Sequence, residues 1–356
     1  MHLHALLPDL VDDARHPSGG SLYDRRVLAG LAGGGWSVHE HVVVGPWPWA
    51  PPESLRELRR TVAEIPDGAT VLVDGIIASS TPDILLPSRF RLVVLLHLPL
   101  GETFPSSGDV ASVRRAEQAV LGSAAAVVVT STWTRRRVLA RYDLDPQRVH
   151  VAEPGADPAP ATRSEHAGRR LVQLAPLTAL KGQDVLLDAL DRLRDLDWSL
   201  RLVGARDLEP EYADGLQAAL ASFGDRIGVT GALGRDGVAA ELAGCDLLVV
   251  PSRTETYGMA VTEALSRAVP VVAARVGGLP ATLDRGGELP GTLVAPDDPA
   301  ALAAVLRGWL TDETLRARWR AAARARRPLL HGWDATASAV DAALRSIGGR
   351  PSAVAR

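Results

Sequence analysis

The sequence predicts an α/β protein of two domains, each a parallel sheet covered by helices. Three observations predict it. Short apolar runs recur along the chain, among them Leu92–Leu96, Ala126–Val129, Leu171–Leu174 and Asp246–Val250, and these read as buried strands. Segments with apolar residues at helical spacing lie between them, and this alternation is the pattern of parallel sheets covered on both faces. The alternation breaks at Glu153–Gly168, where Pro154, Pro158 and Pro160 stand among small and polar residues and read as an interdomain linker. The expected domains are residues 1–160 and 165–330, with a C-terminal helix at about 334–349 returning to the first. A cleft between two such domains is a common ligand site.

In the first half, Leu3–Leu7 reads as a strand and Pro8–Gly20 as a loop. Ser21–Ala32 reads as a helix, with Leu22, Val27, Leu28 and Leu31 on one face. Ser18-Gly19-Gly20 therefore falls in a strand–helix loop, where glycines let backbone approach a ligand. It is not GxGxxG, so the dinucleotide fingerprint is absent where it belongs. Val38–Val44 and Thr70–Val73 are strands, separated by the Trp- and Pro-rich loop Gly45–Pro52 and the helix Leu55–Ile65. His97 stands at the end of the strand Leu92–Leu96, and strand ends in open parallel sheets face the ligand crevice. The helix Val110–Leu121, the strand Ala126–Val129, the loop and helix Thr130–Tyr142 and the strand Val149–Ala152 complete this half.

The second half repeats the style. Strands are read at Leu171–Leu174, Leu200–Val203, Ile227–Thr230, Asp246–Val250, Val269–Ala273 and Thr292–Val294. Helices are read at Gly182–Leu196, Tyr212–Phe223, Gly237–Ala243, Asp298–Leu310, Asp312–Arg327 and Thr336–Ile347. The Arg-rich runs Arg135–Arg137 and Arg316–Arg327 sit among helix formers and read as solvated helix faces.

The 356 residues suffice for two ordinary domains, and 46% hydrophobic with 23% charged residues is an average soluble composition. A net charge of −3 argues against a nucleic-acid binder. With Cys245 alone, an internal disulfide and a CxxC metal site are both excluded, which fits a reducing cytosol. The opening MHLHALLPDLVDD lacks the basic and apolar regions of a signal peptide, and the chain has no run of 18 apolar residues. The expected location is cytoplasmic. Peripheral membrane contact and the oligomeric state stay open.

The stretch Asp246–Arg267 concentrates the chemistry. Strand, polar loop and helix follow in that order, which places a helix N-terminus at the carboxyl edge of a sheet. Free amides and the positive dipole end make such a place an anion site. Glu255 stands in the loop and Glu263 in the helix, less than two turns beyond its start at about 1.5 Å per residue. Carboxylates accept from sugar hydroxyls, and the amides around Gly258 and Met259 suit a phosphate. Together they suit a sugar nucleotide.

PSRTETYGMAVTEAL resembles the motif of the retaining glycosyltransferases of family 4, through Pro251, Ser252, Glu255, Tyr257, Gly258 and Glu263. Further matches run in the same order along the chain: Ser18-Gly19-Gly20, His97, Pro154-Gly155-Ala156-Asp157, Lys181-Gly182, Pro270-Val271-Val272 and Gly277-Gly278-Leu279-Pro280. The resemblance implies the GT-B fold, two Rossmann-like domains with parallel sheets facing an interdomain cleft, the first binding acceptor and the second nucleotide-sugar. It implies a UDP- or GDP-sugar donor, a small-molecule, glycan or lipid acceptor, retention of anomeric configuration, and no metal or other cofactor. By that resemblance Glu263 binds ribose, Glu255 holds the donor sugar, Lys181 neutralises the diphosphate, Gly19 and Gly20 offer it amides, and His97 sits near the transferred sugar. Thr256, Tyr257, Gly258 and Met259 complete the donor set. One departure stands out: the family's arginine five positions before the lysine is Pro176 here, with Arg206 a candidate substitute. Ala268, where a glycine is common, is a smaller one.

Other readings compete. A degenerate GT-B protein would bind a sugar nucleotide without turnover; Pro176 favours it, while intact Glu255, Glu263 and Lys181 oppose it. A GT-B-type epimerase remains an alternative. A phosphorylase would need a pyridoxal lysine, and the chain's only lysine, Lys181, lies in the expected diphosphate loop.

Overall fold

The computed structural model describes residues 1–86, 89–103, 110–162 and 166–347. Positions 163–165 of the expected linker and 348–349 of the expected last helix lie outside the described residues. The chain divides into two compact units. One comprises Met1–Asp12, Ser18–Pro154 and the C-terminal segment from Trp333; the other comprises Asp13–Pro17 and Gly155–Gly332.

The first unit is built on six strands: β1 (His2–Pro8), β2 (Ser37–Val43), β3 (Thr70–Asp74), β4 (Arg91–Leu96), β5 (Ala126–Val129) and β6 (Val149–Val151). Their order is β2-β1-β3-β4-β5-β6 and each pair is parallel. The apolar runs are continuous because the strands are covered on both faces. Leu6, Val43, Val71, Val73 and Val94 form one core face with Leu58 of the helix Pro52–Glu64. The helix Trp333–Ser346 belongs to this unit and packs on the helix Gly19–Gly33. Trp36 Nε1 donates to Asp341 Oδ1 at 2.7 Å, and Thr336 Oγ1 donates to the Glu153 carbonyl at 2.8 Å.

The second unit carries β7 (Arg170–Leu174), β8 (Ser199–Val203), β9 (Ile227–Gly231), β10 (Leu247–Val250), β11 (Val271–Ala274) and β12 (Gly291–Val294). The order is β12-β11-β10-β7-β8-β9, again parallel. Alternate residues of one strand serve two cores: Leu247 and Val249 join Leu171, Leu200 and Val272 in one, and Leu248 and Val250 join Val172, Val203 and Val271 in the other.

In each sheet the strand order reverses once, between β1 and β3 in the first and between β7 and β10 in the second. The carboxyl ends of the strands diverge at such a point, and ligands bind there in open α/β sheets.

Several expectations are corrected. The first helix starts at Gly19 rather than Ser21, so Gly19 and Gly20 are helical; Ser18 is the N-cap, its hydroxyl accepting from Ser21 N at 3.0 Å. The helix expected at Gly182–Leu196 spans Gln183–Asp191 only, and the one expected at Tyr212–Phe223 is two pieces, Pro210–Gly215 and Gln217–Ser222. Short helices at Gly75–Ala78 and Pro82–Leu85 had no periodicity long enough to signal them. The Arg316–Arg327 run is not simply a solvated face: Arg326 is buried, and Arg320 pairs with the buried Asp246 at 3.0 Å.

Candidate functional site

The second unit gathers most of the expected residues at its strand-order reversal. Lys181 ends the 3-10 turn Ala179–Lys181 in the loop after β7, and Glu255 lies in the loop after β10. Since β7 and β10 are neighbours, these loops meet. Lys181 Nζ bonds Glu255 Oε1 at 2.6 Å, and Ser252 Oγ donates to the same oxygen at 3.1 Å. Both side chains stay partly exposed, Lys181 at 25% and Glu255 at 17%. The helix Met259–Ser266 begins immediately after this loop, with Gly258 at its N-cap and no side chain capping the first amides. The result is an ammonium, a carboxylate and open helix amides on one strand edge, a set that can receive a phosphate and a hydroxyl together.

The loops are held from below. Gly182 has φ +65°, and a Cβ there would stand 2.3 Å from the Pro251 carbonyl oxygen, so only glycine lets the two loops approach this closely. Arg253 bridges them: its guanidinium bonds both Asp184 oxygens at 2.9 and 2.7 Å, Asp297 at 2.6 Å and the Ala179 carbonyl at 2.6 Å. Burial pushes the Asp184 carboxyl up, and the Arg253 contact more than reverses this, holding it below its ordinary value. Gln173 Nε2 donates to the Lys181 carbonyl at 2.8 Å. On the other side Gly277, at φ +54°, lies under the Glu255 backbone, where a Cβ would meet the Glu255 carbonyl oxygen at 1.7 Å. Gly278 N donates to that oxygen at 2.9 Å, and Thr282 Oγ1 donates to the Tyr257 carbonyl at 2.6 Å. Tyr257 is buried, while Thr256 and Met259 are partly exposed.

Glu263 sits apart from this ion pair, in different company. It is partly buried, and burial pushes its carboxyl up to about 7; Arg267 and Arg235 pull it down and Asp157 pushes it up. Asp157 itself pairs with Arg235 at 2.6 Å. At the position of the expected arginine, the Pro176 carbonyl accepts from Gln183 Nε2 at 2.9 Å. Arg206 follows β8 as an exposed side chain.

In the first unit, Gly20 and His97 meet at the other strand-order reversal. A Cβ on Gly20 would lie 3.4 Å from His97 Cδ2. His97 Nε2 bonds Asp24 Oδ1 at 2.7 Å and lies 4.0 Å from Asp74 Oδ2. Tyr23 packs edge-on against the imidazole at 5.1 Å. Asp24 is buried on the helix Gly19–Gly33, and Asp74 ends β3. Burial opposes a charge on His97, but the two carboxylates outweigh it and raise His97 to about 9. Burial and the Asp24 charge together push Asp74 up to about 7, against the pull of His97. The sequence marked His97 and ended a strand at Val73, just before Asp74; it gave no reason to select Asp24, whose burial on the inner face of a helix no motif records. Among the described residues, Asp24, Asp74 and His97 also form a group of three whose ligand atoms lie within 4.8 Å of one another, close enough to hold a metal ion.

Residues 161–326 match the family described as Glycosyl transferases group 1. The chain is 32% identical over 244 residues to a D-inositol 3-phosphate glycosyltransferase of Xylanimonas cellulosilytica, covering 63% of this chain and 57% of that one. It is 34% identical over 251 residues to the protein of the same name from Kineococcus radiotolerans, with the same coverage. The chain thus spans less than two thirds of the length of these curated relatives. Two solved structures share the fold over nearly the whole chain. Sucrose-phosphate synthase from Thermosynechococcus elongatus has a TM-score of 0.80 at 20% identity, covering 98% of this chain and 99% of that one. Anabaena Alr3699/HepE, in complex with UDP-glucose, has a TM-score of 0.77 at 19% identity, covering 97% of this chain and 100% of that one. No helix among the described residues is long and apolar enough to cross a membrane.

Proposed function

We propose that this chain, whose residues 161–326 match the group 1 glycosyl transferases, moves a sugar from a UDP- or GDP-sugar to a hydroxyl acceptor, retaining the anomeric configuration and using no metal ion. The observation that carries this reading is the Lys181–Glu255 pair beside the uncapped amides of the helix Met259–Ser266. Breaking the bond between the sugar and the diphosphate leaves an electron pair and negative charge on the diphosphate. A cation and helix-end amides stabilise that charge most where water is scarce. Before the donor arrives, Lys181 is satisfied by Glu255. The arriving diphosphate takes over the ammonium and releases Glu255 to accept from hydroxyls of the donor sugar.

Glu263, in its separate half-buried place, binds the ribose hydroxyls. The second unit therefore serves the nucleotide-sugar, with Thr256, Tyr257, Gly258 and Met259 lining its diphosphate end. The first unit serves the acceptor, and Gly19, Gly20 and His97 are its candidate site residues. The Asp24 carboxylate bonds His97 at 2.7 Å and favours its imidazolium form. UDP is the first donor base to try, since a protein of the same fold is named in complex with UDP-glucose. The relatives' name points to a phosphorylated polyol as an acceptor to test first.

The test is product stereochemistry. A UDP- or GDP-α-sugar incubated with acceptor and excess EDTA should give an α-linked product by NMR. A β-linkage contradicts retention, and activity restored only by added divalent ion contradicts metal independence.

A further inference from the structure

Four histidines share one face at the edge of the first sheet. β2 is the edge strand, and the parallel register sets His4 opposite His39 and Leu6 opposite His41. Side chains alternate along a strand, so His2, His4 and Leu6 point to one face, as do His39, His41 and Val43. Leu6 and Val43 lie in the core under the helix Pro52–Glu64. Beyond them the face changes from aliphatic to imidazole. The rings stack as a ladder: His2 on His39 at 5.4 Å, His39 on His4 at 4.9 Å and His4 on His41 at 5.3 Å, with interplanar angles of 19°, 21° and 12°. Ring nitrogens pair diagonally, His2 Nδ1 with His39 Nε2 at 3.1 Å and His4 Nδ1 with His41 Nε2 at 3.0 Å.

A solvent-facing strand pair needs no such ladder, because imidazoles crowded together repel once protonated. Neutral imidazoles in pairs are, however, ligands for Zn²⁺, Ni²⁺ and Cu²⁺. Metal–nitrogen bonds of about 2.0–2.1 Å place two nitrogens on neighbouring coordination positions about 2.8–3.4 Å apart. The paired nitrogens already stand at that separation.

We propose that this histidine face binds one borderline divalent cation of the zinc, nickel or copper type, clamped between His4 Nδ1 and His41 Nε2 and completed by water. His4 and His41 are partly buried, whereas His2 and His39 are more exposed, so the inner pair is the better ordered clamp. Burial and the neighbouring rings hold His4 and His41 below the ordinary imidazole value, which favours their neutral, lone-pair-bearing form. The Glu64 carboxylate, at the end of the helix covering this face, acts on His41 in the direction that favours a cation. On binding, the hydrogen shared within the pair moves to the donor ring's other nitrogen. Both facing nitrogens then present lone pairs, and no net proton is lost. A second ion on the outer pair would lie one ladder step away, and repulsion between two divalent ions disfavours it.

The experiment is a calorimetric titration of the chelator-treated, untagged full chain with Zn²⁺ near neutral pH, with imidazole ¹⁵N shifts recorded in parallel. Binding of about one equivalent is expected, with His4 and His41 signals moving first, and with affinity at least about tenfold weaker in His41→Gln. A melt of His41→Gln checks its fold, and the wild-type ¹⁵N shifts decide the site without any variant. No binding up to millimolar Zn²⁺, equal binding by His41→Gln, or shifts confined to His97 would each overturn the proposal.

Discussion

At the level of single residues, Lys181 and Glu255 meet because their loops follow neighbouring strands. Removing the ammonium should strip charge stabilisation from the leaving diphosphate. Lys181→Ala is expected to lower kcat about 10²–10³-fold, with an unchanged circular dichroism spectrum. A loss seen only in KM would mean that Lys181 binds donor without acting on the bond-breaking step. On the proposed reading, Asp24 acts through His97 rather than on substrate. In Asp24→Asn the imidazole loses its 2.7 Å carboxylate partner and should titrate well below the wild-type value near 9. NMR titration of His97 and the pH profile of kcat check this; profiles that coincide with wild type would show Asp24 to be purely structural. The motif residues here were legible in the sequence because their chemistry depends on local order: loop, glycine, helix start. Asp24 was not, because its role depends on a helix face brought against the end of β4 by tertiary packing.

At the level of elements, glycines decide how closely the site loops approach. Gly277→Ala would drive a Cβ to 1.7 Å from the Glu255 carbonyl oxygen, in a left-handed backbone. Unfolding free energy should fall by about 3 kcal/mol or more, and Glu255 should be displaced. A denaturant midpoint equal to wild type would contradict this close approach. The loop after His97 is held differently. Glu117 is fully buried and accepts from Leu100 N at 2.9 Å, Gly101 N at 3.2 Å, Ser79 Oγ at 2.9 Å and the Tyr142 hydroxyl. Glu117→Ala removes the acceptor these donors share and should cost about 2–4 kcal/mol, read from the same denaturant curves. Apolar runs revealed the strands well, since burial on both faces leaves a continuous signature. Helix limits were less legible. The start at Gly19 depends on the Ser18 cap overriding poor helix propensity, and the break near Gly215 depends on packing of two short pieces. Glu117 carried no signal of its role in the sequence, because nothing local announces four distant donors.

At the level of the whole molecule, the titrating groups set a pH window. Asp74 and Glu263 are raised to about 7 and His97 to about 9, all above their unfolded values. The folded state therefore holds these protons more tightly, and the stability they contribute is full below the unfolded values and lost as pH rises to the folded ones, from about 4 to 7 for the two carboxyls and about 6.5 to 9 for His97. Asp184 and Glu241 run the other way. Arginine partners hold both below their ordinary values despite burial, so their contribution is lost as pH falls below about 4. Stability should peak near about pH 4 to 5 and decline toward pH 9, by thermal melts across buffers. In Glu263→Gln the decline between about pH 4.5 and 7 should be shallower by about 1 kcal/mol per pH unit. A wild-type curve rising steadily from pH 6 to 9 would contradict these assignments.

The alternation of strands and helices, interrupted once by a proline-rich linker, announced two parallel-sheet units. The two strand-order reversals, which place Lys181 beside Glu255 and His97 beside Asp24, emerge only once the sheets are assembled. The central claim is that the Lys181–Glu255 edge activates a nucleotide-sugar. It is tested most directly by a donor screen, in EDTA and without acceptor, that follows nucleoside diphosphate release. Wild type should slowly hydrolyse at least one UDP- or GDP-sugar, and Lys181→Ala and Glu255→Gln should abolish that release. Undiminished release in both variants, or neither release nor binding with any donor, would contradict it.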